Sequence, residues 1–461
     1  MNANLFCEKG CFSTMAEPII SVSGLRGIVG DSLTPEVAMR YVAAFAAEAP
    51  SGPIVVTRDG RTTGPMLADA VRSALCAVGR DVIDASIAAT PTTGVLIRHL
   101  QAAGGIQISA SHNPPEYNGL KLFSAEGRVI PQLAGEQVIE RYRQSSPVWK
   151  DYAEVGKTIP CDDPHARHLE LVLATVDVEA IRSGGYRVLL DANHGAGSLL
   201  GRRLLEELGC DVTMLGGEPD GRFDHTPEPT AENLTSVLAL VLEVHADIGF
   251  CQDPDADRLA IIDERGRYLG EEYTPVLCID HVLQSHRGPI VTNCSTSRMA
   301  QDLAEKYGVP FYHSAVGEAN VVDTMLAHDA VLGAEGNGGI IDPRVGWVRD
   351  SFVGMALVLD AMAARRLPVS RLAAELPRYE IVKNKVTLPR EKIAAALDAL
   401  ESHYADAAAN RRDGLRLDWP GCWLLVRGSN TEPIVRIIAE AESQAAAEQL
   451  CRESAAVLER V

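Results

Sequence analysis

Across residues 53–364, short apolar runs alternate with stretches whose apolar residues recur at helical spacing. No other feature limits the fold as much, because strands separated by helices build α/β layers around parallel or mixed sheets. The run PIVVT at 53–57 reads as a buried strand. A helix is predicted at 64–78 through Met66, Leu67, Ala70, Val71 and Leu75. A strand at 81–85, a helix at 93–102 and a strand at 105–109 complete the first unit. A second unit begins near Arg187, where 187–198 is a strand followed by a Gly-containing turn, with further strands at 211–215 and 246–251, helices at 199–208 and 231–244, and a breaker-rich loop at 219–230. A third has strands at 289–293 and 309–313 and helices at 297–307, 316–327 and 350–364, with GAEGNGG at 333–339 as a loop. The last stretch changes character: strands at 381–388, within 414–426 and at 434–441, helices at 392–403 and 445–458, a smaller α+β unit. Three similar units of about a hundred residues suggest internal duplication.

A length of 461 residues fits three to four domains. With 46% hydrophobic and 23% charged residues, the chain is an ordinary globular protein. Its net charge of −19 excludes a nucleic-acid partner, which requires a basic footprint. An anionic substrate would need a local cluster of Lys and Arg, which works because distant charges are screened beyond a Debye length of about 8 Å. Ten Cys without a CxxC pair read as reduced thiols of a cytoplasmic protein. No apolar run reaches the ~18 residues of a membrane span, and the first fourteen residues lack the apolar core of a signal peptide.

Four segments carry chemistry. In IQISASHNPPEYNGLKLF (106–123) a β-branched run ends in a polar tip with Ser111, His112 and Asn113 before Pro114 and Pro115. A hydroxyl so placed suits a nucleophile or a phosphate carrier, and Lys121 can return to it through a turn at 117–119. Ser111 and His112, adjacent on an extended segment, would face opposite ways, which argues against a hydrolase pair. Taken alone, Ser111 reads as a turn serine bonding its own backbone. In DPDADR (253–258), Asp253, Asp255 and Asp257 offer three hard oxygens suited to Mg²⁺. An EF-hand is rejected because Arg258 stands where the sharp turn needs Gly and LAIID (259–263) reads as strand. The glycines around Glu335 and Asn337 permit a close approach of backbone to ligand, but taken alone the loop reads as a plain turn. In RGSNTEP (427–433), Arg427, Ser429, Asn430 and Thr431 can cradle one phosphate, with Arg436 joining from the next strand; an ordinary hairpin connection is the alternative. Arg26 in SGLRG would, by itself, be surface charge.

With these residues assembled, residues 18–461 resemble the α-D-phosphohexomutase family, whose phosphoserine, metal, sugar and phosphate loops look like these four segments in this order. ATPTTG (89–94), TRDGR (57–61) and DANHGAG (191–197) are similar to family segments as well. The resemblance implies an α/β protein of three similar α/β domains with mixed sheets plus a smaller C-terminal α+β domain around a central cleft. Expected limits are a disordered extension at 1–17 and domains at 18–155, 156–257, 258–372 and 373–461. It implies phosphorylation of Ser111, with Asp253, Asp255 and Asp257 holding Mg²⁺ together with a phosphoserine oxygen. Arg26 and Lys121 would assist proton transfer, and Arg258 would neutralise the reacting phosphoryl group. Glu335 and Asn337 would grip sugar hydroxyls, while Arg427, Ser429, Asn430, Thr431 and Arg436 would hold the idle phosphate. The implied activity is interconversion of hexose 6-phosphate and hexose 1-phosphate through a hexose 1,6-bisphosphate, in a monomer or homodimer.

Two departures stand out. SGLRG replaces the family's more usual run before its Arg, and Gly339 stands where some relatives carry His, which shifts the base role to Lys121. The sugar loop looks most like the phosphoglucosamine mutase subgroup, with phosphomannomutase or phosphoglucomutase as the alternative. A non-catalytic sugar-phosphate binder and a Mg²⁺-dependent phosphatase are the competing classes.

Overall fold

The computed structural model describes residues 17–428 and 434–460, so the expected extension lies outside the described residues apart from Glu17. Each of three units repeats one supersecondary device. A buried strand ends at a short loop, and an antiparallel strand returns from it. In the first sheet the pair is Gly104–Ile108 with Tyr117–Ser124. In the second it is Ile248–Gln252 with Leu259–Asp263, and in the third Leu332–Glu335 with Gly339–Ile341. Inside each sheet the strand before the loop also pairs parallel to a neighbour: Ile54–Arg58, Arg187–Asp191 and Ile290–Asn293 respectively. All three sheets are therefore mixed, and their loops occupy carboxyl ends of parallel strands, where α/β sheets bind ligands.

The first sheet has seven strands and the other two have four each. The extra strands of the first include the hairpin Ile19–Ser21 and Gly24–Ile28 at one edge and Thr158–Pro160 at the other. Helices close the faces. Pro35–Glu48 starts at Thr34, whose hydroxyl accepts from the Val37 amide, with Pro35 at the first helical position. The second and third units share one continuous apolar core that runs from Leu190 and Phe250 to Ile290 and Phe352.

The fourth unit is a five-stranded antiparallel sheet. Strand alternation sorts its two faces. Leu424, Val426, Val435 and Ile437 point toward Arg390–His403 and Gln444–Leu458, forming a separate core. Trp423 and Leu425 point the other way and pack with Cys294 of the third unit. Arg416 Nη1 donates to the Cys294 carbonyl at 2.6 Å, and the Arg298 amide donates to Glu440 at 2.9 Å, so the sheet is docked on its neighbour.

Three expected domain limits move. Thr158–Pro160 pairs with Val82–Ile87, so the first unit runs past 155. A cut at 257/258 would split the hairpin that carries the acidic loop, since Leu259–Asp263 belongs to the second sheet. A cut at 372/373 falls inside helix Val369–Ala374. The stretch 117–119, read as a turn, is strand: Gly119 lies so close to the Leu25 and Ser109 carbonyls, 2.6 and 2.7 Å from a built Cβ, that only glycine fits. The 333–339 loop is a tight hairpin with Glu335 ending its first strand. Residues 231–234 are turn, and that helix starts at Thr235. The eight Cys among the described residues are all free. No described helix is long and apolar enough to cross a membrane.

Candidate active site

Ser111 sits one turn beyond the end of Gly104–Ile108 with φ +49°, in the left-handed region. A side chain there costs roughly 1–3 kcal/mol, which the surroundings must offset. Arg61 does most of that work. Fully buried, it donates to the carbonyls of Ser111 (2.6 Å), Asn113 (2.6 Å), Pro114 (2.8 Å) and Tyr117 (3.0 Å). Asp59 pairs with Arg61 Nε at 3.1 Å and accepts from Ser109 Oγ, whose oxygen in turn accepts from the Ser111 amide. Because the backbone twists at Ser111, its hydroxyl and His112 Nδ1 come within 3.3 Å instead of facing apart. Burial, then the charges of Arg258 and Arg26, pull the His112 imidazole down to about 3, so it is neutral at physiological pH.

Ser111 Oγ donates to Asp253 Oδ2 at 2.7 Å, across 142 positions of sequence. The acidic loop is clamped from four sides. Thr90, opening helix Thr90–His99, donates Oγ1 to Asp255 Oδ2 at 2.5 Å. The Ala196 amide of DANHGAG donates to the Pro254 carbonyl. Ser351 Oγ donates to the carbonyl of Ala256, itself left-handed at φ +56°. Lys121 Nζ reaches Asp255 Oδ2 at 3.0 Å and Asp257 Oδ2 at 2.9 Å. Burial pulls the Lys121 ammonium down, but Asp255, Asp257 and Glu318 outweigh it and hold it above its usual value.

The three Asp offer oxygens within 4.8 Å of one another, all fully buried. Asp255 Oδ1 and Asp257 Oδ1 have no hydrogen-bond partner, while the Oδ2 atoms are taken by Lys121 and its neighbours. Burial and the two neighbouring carboxylates push the Asp253 carboxyl well above the usual range. An all-oxygen trio with two orphaned acceptors fits a hard divalent cation such as Mg²⁺.

A cavity of about 970 Å³ opens above this floor and is lined from all four units. Arg26, His112 and Lys121 come from the first, Arg258 from the second, Glu335 and Asn337 from the third, Arg427 and Arg436 from the fourth. Arg26 donates to Asn113 Oδ1 at 3.3 Å and Arg258 to Glu228 at 3.3 Å. Eight Lys and Arg line the cleft against four Glu, which reverses locally the sign of the whole chain. Glu335 accepts from Asn293 Nδ2 at 2.8 Å and the Gly317 amide at 3.2 Å, so the hairpin tip is fixed before any ligand arrives. Asn337 Oδ1 is buried without a partner. Ser429, Asn430 and Thr431 lie outside the described residues.

The chain matches models of all four domains of one family, described as phosphoglucomutase/phosphomannomutase domains I, II, III and C-terminal, over residues 18–148, 166–266, 271–379 and 383–457. The chain belongs to the phosphoglucomutase/phosphomannomutase family. Among its relatives is a "Phosphoglucomutase/phosphomannomutase" of Thermococcus kodakarensis, 37% identical over 91% of this chain and 94% of the relative. A "Probable phosphoglucosamine mutase" of Pyrococcus horikoshii is 34% identical over 94% and 96%. A crystal structure of a phosphoglucomutase/phosphomannomutase family protein from Burkholderia thailandensis superposes with a TM-score of 0.82 at 26% identity, covering 96% of this chain and 98% of the other. Proteins so named are isomerases, and this chain is an enzyme of that class.

Sequence reasoning missed three parts of the phosphohexomutase cleft. Arg61 and Asp59 stand in TRDGR, but nothing local shows that they strap a loop fifty residues away. Arg349 follows no motif. In the fourth unit the missed residue is Lys385, which lies directly opposite Arg436, itself opposite Arg427, so that it joins the two expected arginines across three adjacent strands. Like charges so paired destabilise a sheet unless an anion neutralises them. Arg436→Ala is therefore expected to raise KM for a hexose phosphate by about 10- to 100-fold, the worth of one charge-assisted bond. The melting temperature should not fall. A lower melting temperature with unchanged KM would show a structural arginine instead.

Proposed function

We propose that the chain is a Mg²⁺-dependent phosphohexomutase that interconverts hexose 6-phosphate and hexose 1-phosphate through phosphorylated Ser111 and a hexose 1,6-bisphosphate. The observation that carries this reading is the meeting of Ser111 Oγ with the aspartate trio, 2.7 Å from Asp253, beneath a cationic cleft. A Mg²⁺ held by Asp253, Asp255 and Asp257 would supply Lewis-acid neutralisation of phosphoryl oxygens. The residues of the chain do the rest. The bond between phosphorus and Ser111 Oγ breaks as a free sugar hydroxyl bonds to the same phosphorus; neutral His112 Nδ1 takes the hydroxyl proton and passes it to Ser111 Oγ, which is released as the serine hydroxyl. Lys121, held as an ammonium by Asp255 and Asp257, and Arg26 flank the transfer as donors, and neutral His112 Nδ1, within reach of Ser111 Oγ, is the acceptor. Phosphoryl transfer asks the protein for alignment and charge neutralisation, which Arg258 and the cationic lining provide. The bisphosphate then turns over, and its other phosphate returns to Ser111 while Arg427, Arg436 and the adjoining loop hold the idle one. This same grip explains why either monophosphate binds.

Glucosamine phosphate is the hexose this reading prefers. Four Glu line the cleft, and Glu271 Oε1 is buried without a partner, a complement to an ammonium group. Relatives at 34% identity carry the phosphoglucosamine mutase name. Glucose or mannose phosphate is the second reading, favoured by the relative at 37% identity. Specificity constants for glucosamine, glucose and mannose 6-phosphates, with Mg²⁺ and a trace of bisphosphate, decide between them. Isomerisation of none, or release of inorganic phosphate outpacing isomerisation, would overturn the mutase assignment.

A further inference from the structure

We propose that Arg349 is a positioning residue that sets the cation site and the sugar site at once, an inference that rests on the mutase reading of this cleft. Its three guanidinium nitrogens each meet a different carboxylate. Nη2 lies 2.6 Å from Asp257 Oδ2, Nε 2.7 Å from Glu318 Oε2 and Nη1 2.9 Å from Glu335 Oε2. One planar group thus bridges the acidic loop of the second unit to the hairpin tip of the third. All four side chains are buried.

The consequence for Asp257 is directional. Arg349 and Lys121 together occupy Oδ2, and Oδ1 is left buried with no partner. The carboxylate is turned so that its free oxygen joins that of Asp255, which Lys121 and Thr90 orient in the same way. Without the guanidinium, Lys121 alone would hold Oδ2, Asp257 would be free to turn toward Arg258, and the trio would lose its preset geometry. At the other end, Arg349 fixes one oxygen of Glu335 while Asn293 and the Gly317 amide fix the other. A lysine cannot replace it, since one ammonium lacks the planar fork that reaches three acids.

Gly339 makes the arrangement possible. A Cβ built there would lie 2.4 Å from Arg349 Cδ and 2.8 Å from Cγ, so any side chain at 339 displaces the arginine stem. Gly339 pairs with Glu335 across the hairpin, which places the vacant position beside the carboxylate that Arg349 holds.

The test uses two variants of the full chain in a Ser111→Ala background, which separates binding from turnover. Arg349→Lys keeps the charge but removes the fork. Gly339→Ala keeps the arginine but pushes its stem. Mn²⁺ affinity is read by electron paramagnetic resonance and glucose 6-phosphate affinity, without metal, by calorimetry. Arg349→Lys should weaken both by about 10- to 100-fold, the range seen when a group orienting metal ligands is removed. Gly339→Ala should weaken both in the same sense by a smaller factor. Circular dichroism shows that each variant is folded; should Arg349→Lys fail to fold, Gly339→Ala carries the test alone. Affinities within twofold of the parent, or loss of only one of the two, would overturn the coupling, even with a lowered melting temperature. The mutase reading fails separately: a parent chain that binds both ligands with coupled losses yet isomerises no hexose phosphate keeps the positioning role and loses the reaction.

Discussion

Ser111→Ala is expected to abolish hexose phosphate interconversion, with kcat reduced on the order of 10⁵- to 10⁶-fold, as when a covalent nucleophile is removed from an intact site. Ser111 and Thr90 supply the two side-chain hydroxyls bonded to the aspartate trio among the described residues, and Thr90 does not line the cleft. Ser109 Oγ is committed to Asp59, and Thr90 Oγ1 donates to Asp255 from the far side of the loop. The rest of the cleft stays in place, because Arg61 holds the backbone carbonyls of residues 111–117 and not the serine hydroxyl. Binding of glucose 6-phosphate should therefore remain within a few-fold of the parent, an order-of-magnitude expectation for loss of one neutral hydrogen bond. Alanine adopts the left-handed backbone at a cost close to that of serine, so the melting temperature should move little. Intact mass and phosphopeptide mapping complete the measurement: the parent, primed with a bisphosphate, carries phosphate on Ser111 and the variant carries none. Undiminished turnover in the variant would remove Ser111 as phosphate carrier. A parent that binds but never isomerises would point to a binding protein.

The polar tips were legible in the sequence because each breaks an apolar strand within a few residues. Ser111, Asp253 and Glu335 all follow runs that can only be buried, and a polar group at such an end is either capped or used. The strand and helix order of the first three units was legible for the same local reason. What remained hidden depends on contacts between distant positions. Gly119 reads as part of a turn, yet it lies in a strand, because its bare backbone packs against neighbouring carbonyls. Ser111 and His112 were expected to face apart on an extended chain, and the left-handed turn at Ser111 overrides that alternation. The segment Leu259–Asp263 reads as strand, but its partner strand, and hence its domain, is a matter of sheet topology. Arg349 carries no local signal at all, since its meaning lies in Asp257, 92 residues before it. The similar loops of the first three units share one device that, repeated, delivers a hydroxyl, a carboxylate trio and the Glu335 hairpin tip to a common centre, and the fourth sheet adds a row of cations.

Arg61→Met should release the serine loop while leaving the rest of the molecule folded. In a four-domain chain a single unfolding free energy is poorly defined, so the informative measurement is local: amide hydrogen exchange across residues 108–119. Arg61 is 1% exposed and Asp59 0%. Breaking such a buried pair from one side leaves an uncompensated carboxylate, which costs about 3–5 kcal/mol. Four carbonyls lose a charged donor as well, and one of them, that of Ser111, stands at the point of backbone strain. Exchange in this segment should therefore accelerate by roughly 150- to 5,000-fold, the factor that about 3–5 kcal/mol represents when opening is local. Amides of the fourth sheet should be unaffected. The double variant Asp59→Leu, Arg61→Met removes the stranded charge and should recover part of the loss, because replacing both partners costs less than removing one. Turnover should fall with the loop order in both, since Ser111 Oγ meets Asp253 only while the strap fixes the turn. If exchange in 108–119 matched the parent, the two prolines and the strand pairing of Gly119 would be sufficient to hold Ser111, and the Asp59–Arg61 pair would be a passive feature of the core.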